Sequence, residues 1–81
     1  MITNYFVYIL RCANGNLYIG CTANLDERLD RHKKGFVPAT ANCRPVQLIT
    51  CIVLTDKFKA FEFEKYLKSG SGRAFINKHF T

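Results

Sequence analysis

No two cysteines in the chain stand at C-x-x-C spacing, and neither histidine lies at a zinc-ligand distance from any of the four cysteines, so a structural zinc is not expected. No apolar run approaches the roughly 20 residues that span a bilayer. The opening MITNYFVYILRC has no basic start leading into a long apolar segment, so neither a membrane span nor a secretory leader is expected. Repeats and low-complexity tracts are absent, and 81 residues leave no room for a second core. Acidic residues are scarce: six Asp and Glu against twelve Lys and Arg. The expectation is one cytoplasmic domain, 1–81, with reduced cysteines, of which Cys12, Cys21 and Cys51 serve as small hydrophobes inside apolar runs.

What is present is enough apolar material, 48% with seven Phe and four Tyr, to bury a small core. A formal charge of +6 on so short a chain favours a polyanionic partner, nucleic acid ahead of an acidic membrane surface. A merely soluble basic domain is the competing explanation of that charge.

NYFVYILRC, rich in β-branched and aromatic residues, predicts a strand; ANGN predicts a turn and LYIGCT a second strand, making a hairpin. Loop length decides which side chains share a face. With a two-residue Asn14-Gly15 loop, Tyr8 and Tyr18 point to opposite faces. With Ala13-Asn14-Gly15 and a left-handed Gly15, Tyr8 lies opposite Gly20, Tyr18 opposite Leu10, and the two tyrosines share a face. The turn sequence permits either. Asn24 caps a predicted helix over about 25–34, with Asp26 and Glu27 in its first turn, Lys33 and Lys34 in its last, and Gly35 ending it. FVPATANCRP, 36–45, reads as a connecting loop, VQLITCIVL as the third strand, and Thr55 or Asp56 as the cap of a helix over about 57–68. SGSG, 69–72, reads as a hinge before a short last helix over about 73–79. As a phosphate-binding loop it lacks the glycine spacing and follows a helix instead of a strand.

Helical geometry separates the charges of NLYIGCTANLDERLDRHKKG into two sets. At about 100° per residue, Leu25, Arg28, Leu29 and His32 fall in one stripe about 100° wide, while Asp26, Glu27, Asp30, Arg31, Lys33 and Lys34 lie outside it. A stripe of that width faces the core, so Arg28 and His32 point inward or line a cleft, which is costly for an arginine without a partner. The next helix repeats the pattern: Glu64 shares a face with Ala60, Phe63 and Leu67, and Glu62 and Lys65 face away. An arginine, a histidine and a carboxylate on inward faces beside a hairpin with tyrosines suit a catalytic or ligand site. The same residues also allow a buried Arg28–Glu64 ion pair tying two helices together, and a satisfied core histidine.

Two tyrosines on successive strands, a literal Y-I-G at Tyr18-Ile19-Gly20, N-L-x-x-R-L-x-x-H from Asn24 to His32, and A-x-x-x-E-x-x-L-K from Ala60 to Lys68 together resemble the GIY-YIG nuclease family over about residues 5–78. The first element is degenerate, Phe6-Val7-Tyr8, so only its tyrosine carries over. The likeness is to the small single-domain members without an appended targeting domain. It implies an α+β fold, a three-stranded antiparallel sheet flanked by helices, and it selects the three-residue hairpin loop.

The resemblance further implies hydrolysis of a DNA phosphodiester with one divalent metal, Mg²⁺ or Mn²⁺, held by Glu64. Arg28 would grip the non-bridging oxygens, where its fork suits phosphate better than lysine. Tyr8 would orient or deprotonate the attacking water with His32 as its proton relay, and Tyr18 would position water or phosphate. Asn77, thirteen residues beyond Glu64, matches a supporting asparagine of several relatives. Lys33, Lys34, Arg44, Lys68 and Arg73, with Arg31 and Lys78, are candidate contacts to DNA phosphates. Where some relatives carry a lysine after Y-I-G this chain has Cys21, which leaves more of the work to His32. A structure-selective role in DNA repair or recombination is implied. A non-catalytic nucleic-acid-binding module on the same fold stays open beside it, as does a targeting protein partner.

Overall fold

The computed structural model describes residues 2–81. Strand β1 (Tyr5–Arg11) runs between β2 (Leu17–Thr22) and β3 (Gln47–Leu54), antiparallel to both, in the order β2-β1-β3. The hairpin closes with the longer of the two candidate loops. Cys12 N–H donates to the Asn16 carbonyl at 2.8 Å, Gly15 N–H to the Cys12 carbonyl at 2.9 Å, and Gly15 takes a φ of +88°, which a glycine adopts without strain. Tyr8 therefore pairs with Gly20 and Leu10 with Tyr18.

Helix α1 (Leu25–Lys33) follows, with the Asn24 side chain accepting from Glu27 N–H at 3.2 Å. Its predicted division holds: Asp26, Glu27, Asp30, Arg31 and Lys33 are exposed, Leu25, Arg28 and Leu29 half-buried and His32 buried. Helix α3 (Lys57–Leu67) is capped by Asp56, which accepts from Phe58 and Lys59 N–H.

Two segments differ from expectation. The stretch read as a loop contains a four-residue helix, α2 (Pro38–Ala41), whose first position is filled by Pro38, a residue with no N–H to leave unsatisfied. SGSG is not a hinge. Ser69 is the N-cap of α4 (Gly70–His79), its hydroxyl accepting from Gly72 N–H at 3.2 Å, so both glycines are helical. Gly72 is buried where α4 turns back on α3, and a methyl group there would meet the Tyr66 carbonyl oxygen and Leu67 Cα. Backbone cannot give way as a side-chain tip can, so Gly72→Ala is expected to destabilise by about 2 kcal/mol or more. A thermal scan should show a midpoint lower by about 10 °C or more.

The sheet divides the molecule. On one face Val7, Ile9 and Ile19 pack with Ala60 and Leu67 of α3 and Ile76 of α4 as the hydrophobic core. On the other, the alternate residues Tyr8 and Leu10 are equally buried, together with His32 of α1 and Thr40 of α2. Among the described residues no helix is long and apolar enough to cross a membrane.

The cysteines correct a further expectation. Cys12 and Cys43, 31 positions apart, are joined as a disulfide with Cα atoms 5.3 Å apart, while Cys21 and Cys51 are free thiols. The segment after α2 returns over the hairpin end, where Ala13 N–H donates to the Cys43 carbonyl at 2.9 Å.

Candidate active site

Tyr8 sits mid-strand on the central strand, opposite a residue without a side chain. A methyl group on Gly20 would run into the end of the Tyr8 ring and its hydroxyl, so glycine is what lets that ring lie across β2. The Tyr8 hydroxyl is hydrogen-bonded to His32 Nε2 at 2.8 Å, and His32 Nδ1 to Thr40 Oγ1 at 2.8 Å. All three residues are 0% exposed. Tyr18, half-buried on the same face, completes an aromatic cluster, its ring centroid 6.2 Å from Tyr8 and 5.0 Å from His32.

Burial sets the protonation states here. It pushes the Tyr8 phenol up to about 12, helped by neighbouring Tyr18 and opposed by the Arg28 guanidinium. Burial also holds the His32 imidazole below its ordinary value, and Arg28 adds to that. A neutral imidazole thus faces a phenol that keeps its proton. For stability the sign follows: the unfolded chain takes up the histidine proton more readily than the folded one. The contribution is present above the ordinary histidine value of 6.5 and is lost as pH falls through the lower folded value. The urea midpoint of the wild type should therefore drop between pH 7.5 and pH 5.5. His32→Asn should flatten that dependence, and an unchanged slope would show that another group carries it.

Arg28 makes no ion pair with Glu64; the salt bridges among the described residues are Lys34–Asp30 and Lys68–Glu64. Instead Arg28 lines an open groove of about 380 Å³ with Thr22, Asn24, Glu27, Arg31 and Phe36; neither the tyrosines nor His32 nor Glu64 line it. Two arginines against the one carboxylate of Glu27 leave the groove net positive, which suits an anion. Arg31, one of the candidate phosphate contacts, stands beside Arg28 because the two are three residues apart on α1. A larger groove of about 550 Å³ between Leu10, Leu29, Pro45 and Leu48 is mainly apolar and holds none of the tyrosines, His32 or Glu64.

Glu64 projects from the inner side of α3 with its side chain 19% exposed, its Oε2 accepting from Lys68 Nζ at 3.1 Å. The Cys21 thiol, packed against the core, is pushed up first by burial and then by Glu64, while Arg28 pulls it down. No cluster of three or more His, Cys, Asp or Glu exists among the described residues. The donor chemistry is one partly open carboxylate with an ammonium already beside it. This fits a hard cation such as Mg²⁺, which keeps its waters and borrows ligands from a phosphate, and does not fit an all-protein cage.

Asn77 stands apart. It is exposed on α4, and its amide oxygen accepts from the Thr81 hydroxyl at 3.2 Å. Of the candidate phosphate contacts, Lys33 and Arg73 are exposed, Lys34 pairs with Asp30, and Lys68 with Glu64. Arg44 is occupied in the fold, donating to the Ala41 and Lys33 carbonyls against Gly35. Sequence reasoning missed Thr40; Pro38 at a helix N1 position was the signal for the short helix that carries it.

Residues 4–78 match the family model of the GIY-YIG catalytic domain. The chain belongs to the GIY-YIG family. A UPF0213 protein of Lactiplantibacillus plantarum is 38% identical over 76 residues, which cover 90% of this chain and 75% of that one. A UPF0213 protein of Pediococcus pentosaceus is 48% identical over 50 residues, 60% of this chain and 53% of that one. The solution NMR structure of a UPF0213 protein from Bacillus halodurans superposes with a TM-score of 0.60 at 28% identity, covering 93% of this chain and 83% of the other. The chain spans only part of the length of some curated relatives: the match takes in 53% of the Pediococcus protein and 60% of a UPF0213 protein from Desulfotalea psychrophila. The three-stranded α+β fold is shared with the NMR structure, and the family is one of nuclease domains.

Proposed function

We propose that the chain is a metal-dependent DNA endonuclease, selective for DNA structure over sequence and serving repair or recombination. The observation that supports it most is the buried Tyr8–His32 hydrogen bond close to Arg28, whose guanidinium also lines a groove with a second arginine. So small a surface has little capacity for reading bases, and the basic side chains contact phosphate instead.

In this reading Arg28 and Arg31 hold the non-bridging oxygens of the scissile phosphate. Because Tyr8 is sealed from solvent, water enters past the half-buried Tyr18, which seats it. As the water oxygen bonds to phosphorus, its proton passes to the Tyr8 oxygen and the phenolic proton moves on to His32 Nε2. The phosphorus–oxygen bond to the leaving strand breaks, and the leaving oxygen takes up a proton from solvent. A phenol held near 12 is a poor base alone, and this handover is what lets it act at neutral pH. Glu64 would hold a divalent cation, Mg²⁺ or Mn²⁺, which would supply positive charge against the negative charge that develops in the reaction.

The test is a cleavage screen over branched, nicked, single-stranded and plain duplex DNA, with Mg²⁺, Mn²⁺ or chelator. Cleavage of at least one substrate that chelator stops is expected. Binding without cleavage on all of them, at high protein concentration, would leave a non-catalytic DNA-binding module.

A further inference from the structure

Thr40 has no part in the reading above, yet it is one of only two buried polar side chains among the described residues, and it is bonded to the other. Its Oγ1 lies 2.8 Å from His32 Nδ1 and 3.5 Å from the Val37 carbonyl oxygen. Three side-chain protons must be placed along the row Tyr8–His32–Thr40: one on the phenol, one on the neutral imidazole and one on the threonine hydroxyl.

Only two arrangements fit the distances. If Thr40 donates to Nδ1, the imidazole proton sits on Nε2 and points at the Tyr8 oxygen. The phenolic proton then loses its 2.8 Å acceptor and must turn to the half-buried Tyr18, since Arg28, the other side chain close to that oxygen, only donates. If instead Thr40 donates to Val37, it accepts Nδ1–H, and Nε2 is free to accept from Tyr8. The second arrangement gives every proton an acceptor.

We propose that Thr40 is a positioning residue that fixes His32 as the Nδ1–H tautomer, so that Nε2 stands ready for the Tyr8 proton. Orientation of a base by a group on its other nitrogen needs a rigid support, and α2 has one. Cys43 N–H donates to the Thr40 carbonyl at 3.1 Å, and Cys43 is itself joined to Cys12 at the hairpin end. The consequence for catalysis rests on the nuclease reading; the tautomer does not.

Imidazole ¹⁵N–¹H correlation spectra of the free protein at about pH 8, where histidine is neutral, separate the two. Wild type and Thr40→Ser are expected to show His32 protonated at Nδ1, and Thr40→Val to lose that preference. A dominant Nε2–H form in the wild type, or a Thr40→Val spectrum like wild type, overturns the proposal. If Thr40→Val does not fold, the wild-type and Thr40→Ser spectra still decide. In cleavage, kcat should fall at least about ten-fold in Thr40→Val with KM for DNA unchanged, and Thr40→Ser should restore it. A wild type that cuts no DNA defeats the nuclease reading and leaves the tautomer result standing.

Discussion

Glu64→Ala is expected to lower DNA cleavage at least about 10³-fold while DNA binding stays within a few-fold of wild type. Charge stabilisation of a phosphoryl transition state by a cation amounts to several kcal/mol, and about 1.4 kcal/mol is a factor of ten. Glu64 is the carboxylate on the inner side of α3, and no three-donor cluster among the described residues could take over a metal. Binding should survive because the substitution removes a negative charge from a basic protein and frees the ammonium of Lys68 from its pair. The fold should survive as well, since a partly exposed i,i+4 pair is worth about 0–1 kcal/mol. Equal cleavage by wild type and variant would remove Glu64 from the chemistry; parallel loss of cleavage and binding would point to damage of the DNA surface.

Tyr8→Phe should separate the two halves of the catalytic cost. With the phenol gone, water has no group through which to reach His32, and kcat is expected to fall about 10²- to 10⁴-fold with KM nearly unchanged. The ring remains, packed against Gly20 and Tyr18, but His32 Nε2 loses its 2.8 Å partner in a place closed to solvent. A buried acceptor left unpaired costs about 1–3 kcal/mol, so the urea midpoint should fall too. Denaturation curves and steady-state rates on the same preparations check both. A stability loss with unchanged kcat would make Tyr8 a structural residue only.

The elements that sequence reasoning located are those whose cause is local. Asn24 and Asp56 cap where their side chains can reach the next N–H groups. The helical period alone put Arg28 and His32 on the leucine stripe, and Ala60, Glu64 and Leu67 on the inner side of α3. The hairpin loop was a tie between two lengths that family resemblance broke, since Asn14-Gly15 suits either. What escaped had a non-local cause. Ser69 caps α4, and Gly72 is helical because α4 must approach the end of α3, a contact invisible in SGSG. The Cys12–Cys43 bond and the burial of Thr40 both arise when the chain after α1 folds back over the hairpin, and spacing along the sequence carries no record of that return.

Residues of opposite fate alternate along β1: Val7 and Ile9 are hydrocarbon for the helices, Tyr8 and Leu10 lie against α1. A strand slipped by one position would carry the phenol into the oily side and bring valine to the histidine. Correct folding and a competent proton path are thus settled by the same event. In the proposed nuclease, a molecule with misthreaded strands would be inert, never half-active, so the fold would inspect its own chemistry before any DNA arrived.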